Sequence, residues 1–490
     1  ARQRARRIHL TRMPERTNSL HSLLHPRSVA VVGASDNPDK VGGRPLRHLL
    51  AHGFAGRLYP VTQRGAPVQG LDSCTSLAAL PEVPDVAILC VPAERAAVEI
   101  EACAQLGVPN VLLFSSGFAE VSDAGRAAQE SLAATCRAAG IRLLGPNTLG
   151  IANFSNGAVL SFASAYLDCP HRDGPVAVVS QSGGFGAAAY ALLRNNGIGV
   201  RYVCTTGNQA DLDVADFVAE LSRDGTLRVL LLHQEEVKQA QALRSALQRA
   251  RRRGIAVIAV PGGLSPAGAR SARLHTGSTG FDQLNSAQLL ALFRDAGCRI
   301  AGSLPELCES VPLYLGPRGA ASDGGLALIS NSGASCVIAA DAATELQLPM
   351  AELTPTSCAA LDAALPDFSL NRNPLDLTAM LLADPGLLGR VMNIALADAA
   401  VSAAALGLVA IGGPSYDLPR FVRETADAVR VSGKPCVVHA PDPRVRQAFV
   451  EAGLPVFASE RAALVALRDW RGHLAAIASS VHCDGASCDE

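Results

Sequence analysis

Apolar residues in this chain come in short blocks separated by longer stretches in which apolar and polar positions mix. Val29 to Gly33, Leu58 to Val61, Val86 to Val91 and Asn110 to Phe114 read as buried strands, and helices are predicted over 41–53 and 93–107. An alternation of this kind makes an α/β fold, a parallel sheet with helices on both faces. Ligands of such sheets bind beyond the carboxyl ends of the strands. Those ends are Gly33, Ala34 and Ser35; Val91, Pro92 and Ala93; Ser115, Ser116, Gly117 and Phe118; and a Gly145-Pro146-Asn147 turn.

The first turn, residues 33–42, does not spell GxGxxG. The tight dinucleotide pyrophosphate turn is therefore missing, and a Rossmann oxidoreductase loses its main support. Lys40 and the Ser35 hydroxyl, with the amides of the turn, are placed to meet a phosphate. A solvated loop lysine is the equal alternative.

A stretch rich in Ser, Ala and Asn over 151–172 reads as a linker to a second unit, in which a strand runs into Ser180, Gln181, Ser182 and Gly183. The same element recurs as Ser330, Asn331, Ser332 and Gly333, without a gap and at a spacing of 150 residues. This is an internal duplication of a strand, an SxSG turn and a helix. The first amides of such a helix lack partners within it and its dipole adds positive charge, so each copy is a ready anion site. A serine in this place also simply caps helices. Two copies in equivalent places favour a site that closes on one phosphate from both sides.

The strand from Leu227 to Gln234 is followed at once by Glu235 and Glu236. A carboxylate at a strand's carboxyl end can hold one imidazole N–H and leave the other nitrogen free. Glu235, nearer the strand end, is the better candidate, and an acid stabilising a helix start is the alternative. The strand Ile255 to Val260 then leads to residues 269–281, where His275 precedes small residues. A histidine in such a loop suits the acceptance and release of a bulky anion. A surface histidine without a task is the plainer reading.

Composition adds limits. At 490 residues, 49% of them hydrophobic, with a net charge of −1, the chain reads as soluble globular material of about three domains that needs no nucleic acid. Its only lysines are Lys40, Lys238 and Lys434. The 13 cysteines include no CxxC pair and no zinc spacing, so no metal site is expected and a reducing, cytoplasmic setting is the default. No apolar run approaches the ~20 residues of a membrane helix and no signal segment precedes the first strand. Residues 1–19, with Arg2, Arg4, Arg6, Arg7, Arg12 and Arg16, read as a disordered basic tail.

The succession of the Gly33-Ala34-Ser35 turn, Gly145-Pro146-Asn147, Ser180 to Gly183, Gly207-Asn208, Glu235, Gly268-Ala269-Arg270, His275-Thr276-Gly277, Asn331 to Gly333 and Asn373 to Thr378 resembles the alpha part of NDP-forming acyl-CoA synthetases, relatives of succinyl-CoA synthetase, over residues 25–470. The resemblance implies a Rossmann-like CoA-binding domain (20–150), a flavodoxin-like phosphohistidine domain (173–311) and a second flavodoxin-like domain (322–475), with a tail over 476–490. It implies that a nucleoside triphosphate phosphorylates His275, oriented by Glu235, between the helix ends at Ser180 to Gly183 and Asn331 to Gly333. The phosphoryl group passes to a carboxylic acid, and the thiol of CoA attacks the acyl phosphate. The turn at 33–35, Lys40, Val91 to Ala93, Ser115 to Phe118 and Asn147 would face CoA.

The family's ATP-grasp domains are not legible here. ATP, ADP and Mg are therefore expected on a separate ATP-grasp beta subunit, in a hetero-oligomer without membrane. The chain departs from its relatives at Gln209, Pro261 and Leu264, where they carry positive charge, and at Thr148, often Cys. These losses of charge motivate a second reading, a CoA-binding regulatory pseudoenzyme without turnover.

Overall fold

A computed structural model of the chain describes residues 19–276, 284–317, 324–365, 372–409, 411 and 413–484. The basic segment up to residue 18 and the residues following Thr276, through Phe281, lie outside the described residues. Ser19 already belongs to a helix, Ser19–Leu24, whose last carbonyl accepts from Asn153 Nδ2 at 3.0 Å.

The apolar blocks form three sheets. The first has the spatial order Arg57–Val61, Ser28–Val32, Val86–Leu89, Asn110–Leu113, Arg142–Leu144, all parallel. In the second, Tyr202–Thr205, Val176–Ser180, Val229–Gln234, Ala256–Pro261 and Arg299–Ile300 lie side by side and parallel. The third runs Leu375–Asp376, Gly325–Ser330, Val401–Gly407, Cys436–His439, Val456–Phe457. Numbered along the chain, each parallel set has the order 2-1-3-4-5. The connections from the first and third strands of such a sheet leave in opposite directions, and the crevice between those strand ends is the binding position of doubly wound folds. Three crevices result, at Val32 and Leu89, at Ser180 and Gln234, and at Ser330 and Gly407.

Three boundaries differ from the expectation. The stretch 151–172 is no linker: Gly150–Asn153 and Ala158–Ser161 form an antiparallel hairpin that extends the second sheet alongside Tyr202–Thr205. All eight strand residues are buried, and the turn is made by Gly157 at φ +72°. The helix expected over 41–53 is Arg44–Ala51, because Gly42 folds back to accept the Ser35 N–H at 3.2 Å and Gly53 leaves helical space at φ +67°. The tail expected over 476–490 is helical to Asp484, a continuation of Glu460–Asp484. Its Ala-Ala-Ile-Ala run is a good helix former, and Leu474 packs on the core shared with the third sheet.

Apolar packing ties the units together. One cluster runs from Val29, Leu46 and Leu49 through Ile151 and Leu160 to Ala177 and Leu232. Another joins Tyr190 and Ile258 to Leu326, Leu328 and Trp470. No described helix is long and apolar enough to cross a membrane.

Candidate active site

His275 lies in the last turn of a helix, Pro266–Thr276, and not in the expected loop. The local reason is composition: Pro266 opens the helix, the Ser265 hydroxyl accepts the Gly268 N–H at 3.0 Å, and the Ala, Arg and Leu that follow are strong helix formers. The helix end carries His275 Nδ1 to 2.8 Å from Glu235 Oε2. This hydrogen bond raises the pKa of His275 against the opposing effect of burial. Nε2 has no hydrogen-bond partner among the described residues.

Glu235 follows directly on the strand Val229–Gln234, at the crevice of the second sheet. Gln181, across that crevice, fixes the backbone there: its Oε1 accepts the N–H groups of both Glu235 and Glu236 at 2.9 Å. The second carboxylate oxygen, Oε1, faces His233 Nε2 at 3.2 Å. Burial pushes the Glu235 carboxyl up, but the hydrogen bonds from His233 and His275 outweigh it and hold the group at about 2.

In front of His275 opens a cavity of about 190 Å³, continuous with solvent. Gln181, Ser182, Gly183 and Gly184 line it, where the helix Gly183–Asn195 begins. Ser182 caps that helix by accepting the Phe185 N–H at 3.4 Å. Gly183 packs so closely that a Cβ there would sit 2.6 Å from Leu149 Cγ. The Gln181 Nε2 amide lacks a partner among the described residues although it is buried. A helix start and an orphaned amide on one cavity are donors for an anion.

The opposite wall comes from the first unit, with Phe114, Asn147 and Thr148. Asn147 holds φ +58° and donates to Asn208 Oδ1 at 3.2 Å, while Asn208 Nδ2 donates to Glu120 Oε2 at 2.6 Å and Gln129 Oε1 at 2.9 Å. Gly207 stands so near this turn that a Cβ would meet the carbonyls of Pro146 and Asn147 at 2.4 Å. The Thr148 hydroxyl is turned to the Thr205 carbonyl at 2.5 Å. Lys238, which the sequence reading left without a task, donates its ammonium to the carbonyls of Asn208 and Gln209 at 3.1 and 2.8 Å.

The residues expected to face CoA gather at the crevice of the first sheet. Gly33, at φ +79°, is so close to the neighbouring strand end that a Cβ would lie 2.4 Å from the Cys90 carbonyl. Ala34, Ser35, Val91 and Ala93 are partly exposed, Lys40, Pro92 and Ser116 fully so, and the Ser115 hydroxyl donates to the Val91 carbonyl. Two members do not fit as expected. The Phe118 side chain is buried in the core of the first unit, and the amides of Gly117 and Phe118 are taken by Glu120 Oε1 at 2.6 and 3.2 Å.

The duplicated turn, Asn331 to Gly333, also opens a helix, Gly333–Glu345, but among the described residues none of the third unit lines the His275 cavity. Asn331 spends its side-chain amide on the Val409 backbone, donating at 2.6 Å and accepting at 2.8 Å. Behind the turn Ser335 Oγ donates to Glu460 Oε1 at 2.9 Å and meets His439 Nε2 at 3.2 Å. The two copies occupy equivalent crevices of two separate sheets, so this arrangement does not bring them onto one ligand. His233 is the residue that the sequence reading missed. Its signal was available, since residues two apart on a strand share a face and Glu235 follows it by two.

Comparison with known proteins agrees with this layout. A family model described as a CoA binding domain matches residues 27–153, and one described as a succinyl-CoA ligase like flavodoxin domain matches residues 173–314. The chain is 31% identical over 388 residues to trans-feruloyl-CoA synthase of an unknown prokaryotic organism, covering 79% of this chain and 54% of that protein. It is also 31% identical over 370 residues to the alpha subunit of the ADP-forming acetate–CoA ligase I of Pyrococcus furiosus, covering 74% of this chain and 77% of that subunit. Among solved structures, a dinucleotide-forming acetyl-coenzyme A synthetase 1 of Ca. Korarchaeum cryptofilum, in complex with phosphate and ADP, superimposes with a TM-score of 0.84 at 25% identity, covering 95% of this chain and 99% of that one. The chain thus spans about half the length of the feruloyl-CoA relative and most of an alpha subunit. It belongs to the family of ADP-forming acyl-CoA synthetases, acid–thiol ligases, on the side of their alpha subunits.

Proposed function

We propose that this chain is the CoA- and phosphohistidine-bearing part of an ADP-forming acyl-CoA synthetase, which joins a carboxylic acid to CoA with ATP used on a separate ATP-grasp beta subunit. The observation that carries the reading is the 2.8 Å contact between His275 Nδ1 and Glu235 Oε2 at the mouth of the Gln181 cavity. With Nδ1–H donated to the carboxylate, Nε2 keeps its lone pair and is the nitrogen that attacks phosphorus.

In the forward direction Nε2 takes the γ-phosphoryl group of ATP, held with Mg on the partner, and ADP leaves. An oxygen of the substrate carboxylate then attacks phosphorus, the P–N bond breaks, and its electron pair returns to Nε2. The CoA thiolate adds to the acyl carbon and phosphate departs, leaving acyl-CoA. The helix start at Ser182 to Gly184 and the Gln181 Nε2 amide receive the phosphoryl oxygens. The crevice at Gly33 to Ser35, with Lys40 and Val91 to Ala93, presents CoA from the first unit. The acetate and feruloyl relatives support a small or aryl carboxylic acid as the substrate.

Incubation of the purified chain with acyl-CoA and phosphate, without nucleotide, tests this chain alone. Acid-labile, base-stable phosphate is expected on the wild type and not on His275→Ala. Absence of label with a panel of acyl-CoAs, while CoA still binds, would transfer the assignment to a CoA-binding regulatory protein without turnover.

A further inference from the structure

A phosphohistidine and its orienting carboxylate do not account for the second imidazole at this site. His233 is only 7% exposed, and its ring is held from three sides. Nδ1 lies 2.9 Å from the Val260 carbonyl on the neighbouring strand. Nε2 lies 3.2 Å from Glu235 Oε1 at the end of its own strand. The ring face stacks on Phe185, with centroids 4.2 Å apart and planes at 26°, in the first turn of the helix that opens the phosphate cavity. Both partners of the ring nitrogens are acceptors, so in either contact the ring is the donor.

One carboxylate therefore serves two rings, Oε1 for His233 and Oε2 for His275. The division has a chemical consequence. A nucleophilic His275 must keep Nε2 free of a proton, whereas an undivided carboxylate at Nδ1 favours the doubly protonated ring, which cannot attack. A hydrogen-bond donor on the other oxygen draws part of that charge away. The other charges near these rings do not take this place. On the helix of His275, Arg270 and Arg273 are exposed, and Glu236 exerts its Coulombic pull on Lys238. The helix Gly183–Asn195 and the strand Ala256–Pro261 face His233 with uncharged groups, the Phe185 ring and the Val260 carbonyl.

We propose that His233 is a positioning residue that, by holding Oε1 of Glu235, lowers the basicity of His275 and so preserves its free Nε2 near neutral pH. The inference rests on the reading of His275 as the phosphorylated residue and adds a second histidine that regulates it.

The test is an NMR titration of the imidazole nitrogens of His275 in the full chain, assigned with His275→Ala, for the wild type, His233→Phe and His233→Gln. His233→Phe keeps an aromatic face against Phe185 and removes the donor to Oε1; the midpoint of His275 is expected to rise by about one pH unit. His233→Gln retains a neutral donor to Oε1, and a smaller rise is expected. In parallel, the acid limb of label formation from acyl-CoA and phosphate should move upward by the same amount while the alkaline plateau is kept. A purely structural role would lower the plateau and leave the limb in place. An unchanged His275 midpoint in either folded variant overturns the proposal, and if His233→Phe does not fold, His233→Gln decides alone. The titration needs no turnover: shifted midpoints without any label would retain the coupling and remove the phosphohistidine reading, whereas label with unshifted midpoints would do the reverse.

Discussion

His275 Nδ1 and Glu235 Oε2 stand 2.8 Å apart across 40 residues of sequence, one at the end of a helix and the other at the end of a strand. The contact fixes which imidazole nitrogen is spent on the protein and which is left for chemistry. Its consequences can be measured separately for chemistry and for stability.

Glu235→Gln removes the charge that holds His275 Nδ1 and that, on the proposed mechanism, would stabilise a ring phosphorylated at Nε2. Label formation from acyl-CoA and phosphate should fall by about 10- to 100-fold, the usual effect of losing the group behind a functional histidine. The His275 titration should move to lower pH, since this hydrogen bond is what raises it. Equal labelling of variant and wild type would remove Glu235 from the mechanism.

The same carboxylate contributes to acid stability. It is held at about 2 against an ordinary 4.5, so its contribution is fully present above pH 4.5 and is lost as the pH falls towards 2. Urea midpoints of wild type and Glu235→Gln should differ most above pH 4.5 and converge below it. A difference that stays constant from pH 6 to pH 3 would contradict this.

His48 acts in the same sense, over a higher range of pH. It is fully buried, neither ring nitrogen has a hydrogen-bond partner among the described residues, and burial, with His52, Arg44 and Arg47 nearby, pushes its pKa from 6.5 down to about 3. Between these values the unfolded chain binds a proton that the folded chain refuses, so stability drops by about 1.4 kcal/mol for each unit by which the pH is lowered. His48→Leu should flatten this slope, read as a smaller change in urea midpoint between pH 7 and pH 5. A slope equal to that of the wild type would show that His48 is not the group responsible.

Gly33→Ala tests the crevice of the first sheet. The residue would have to hold φ +79° with its Cβ 2.4 Å from the Cys90 carbonyl, and left-handed backbone alone costs about 1–2 kcal/mol. If this turn presents CoA, its displacement should weaken CoA binding by about tenfold or more in calorimetry. Unchanged affinity in a folded variant would place CoA elsewhere.

Much of this molecule was legible from local pattern. Blocks such as Val86 to Leu89 and helices such as Ala93–Leu106 declare themselves through hydrophobic periodicity, which depends only on near neighbours in the chain. The duplicated SxSG turn was visible by direct comparison of residues 180–183 with 330–333. His275 and Glu235 could be singled out by residue type and by position at an element's end. Helix against loop at 266–276 was a closer decision, because glycine and serine stand among good helix formers there.

What lay beyond the sequence was every relation between distant segments. Strand order decides that Ser180 pairs with His233, and so that Gln181 reaches the amides of Glu235 and Glu236. Order is set by pairing across some fifty residues, for which the chain carries no local signal. The hairpin at Gly150–Ser161 was mistaken for a linker because its small residues gain their meaning only from the sheet beside them. The sequence by itself determined three α/β units and the residue types able to carry a phosphoryl group. The tertiary structure alone decided which of the duplicated turns faces His275 and that His233 shares its carboxylate, since hydrogen bonds and charge act over a few ångströms in space and take no account of distance along the chain.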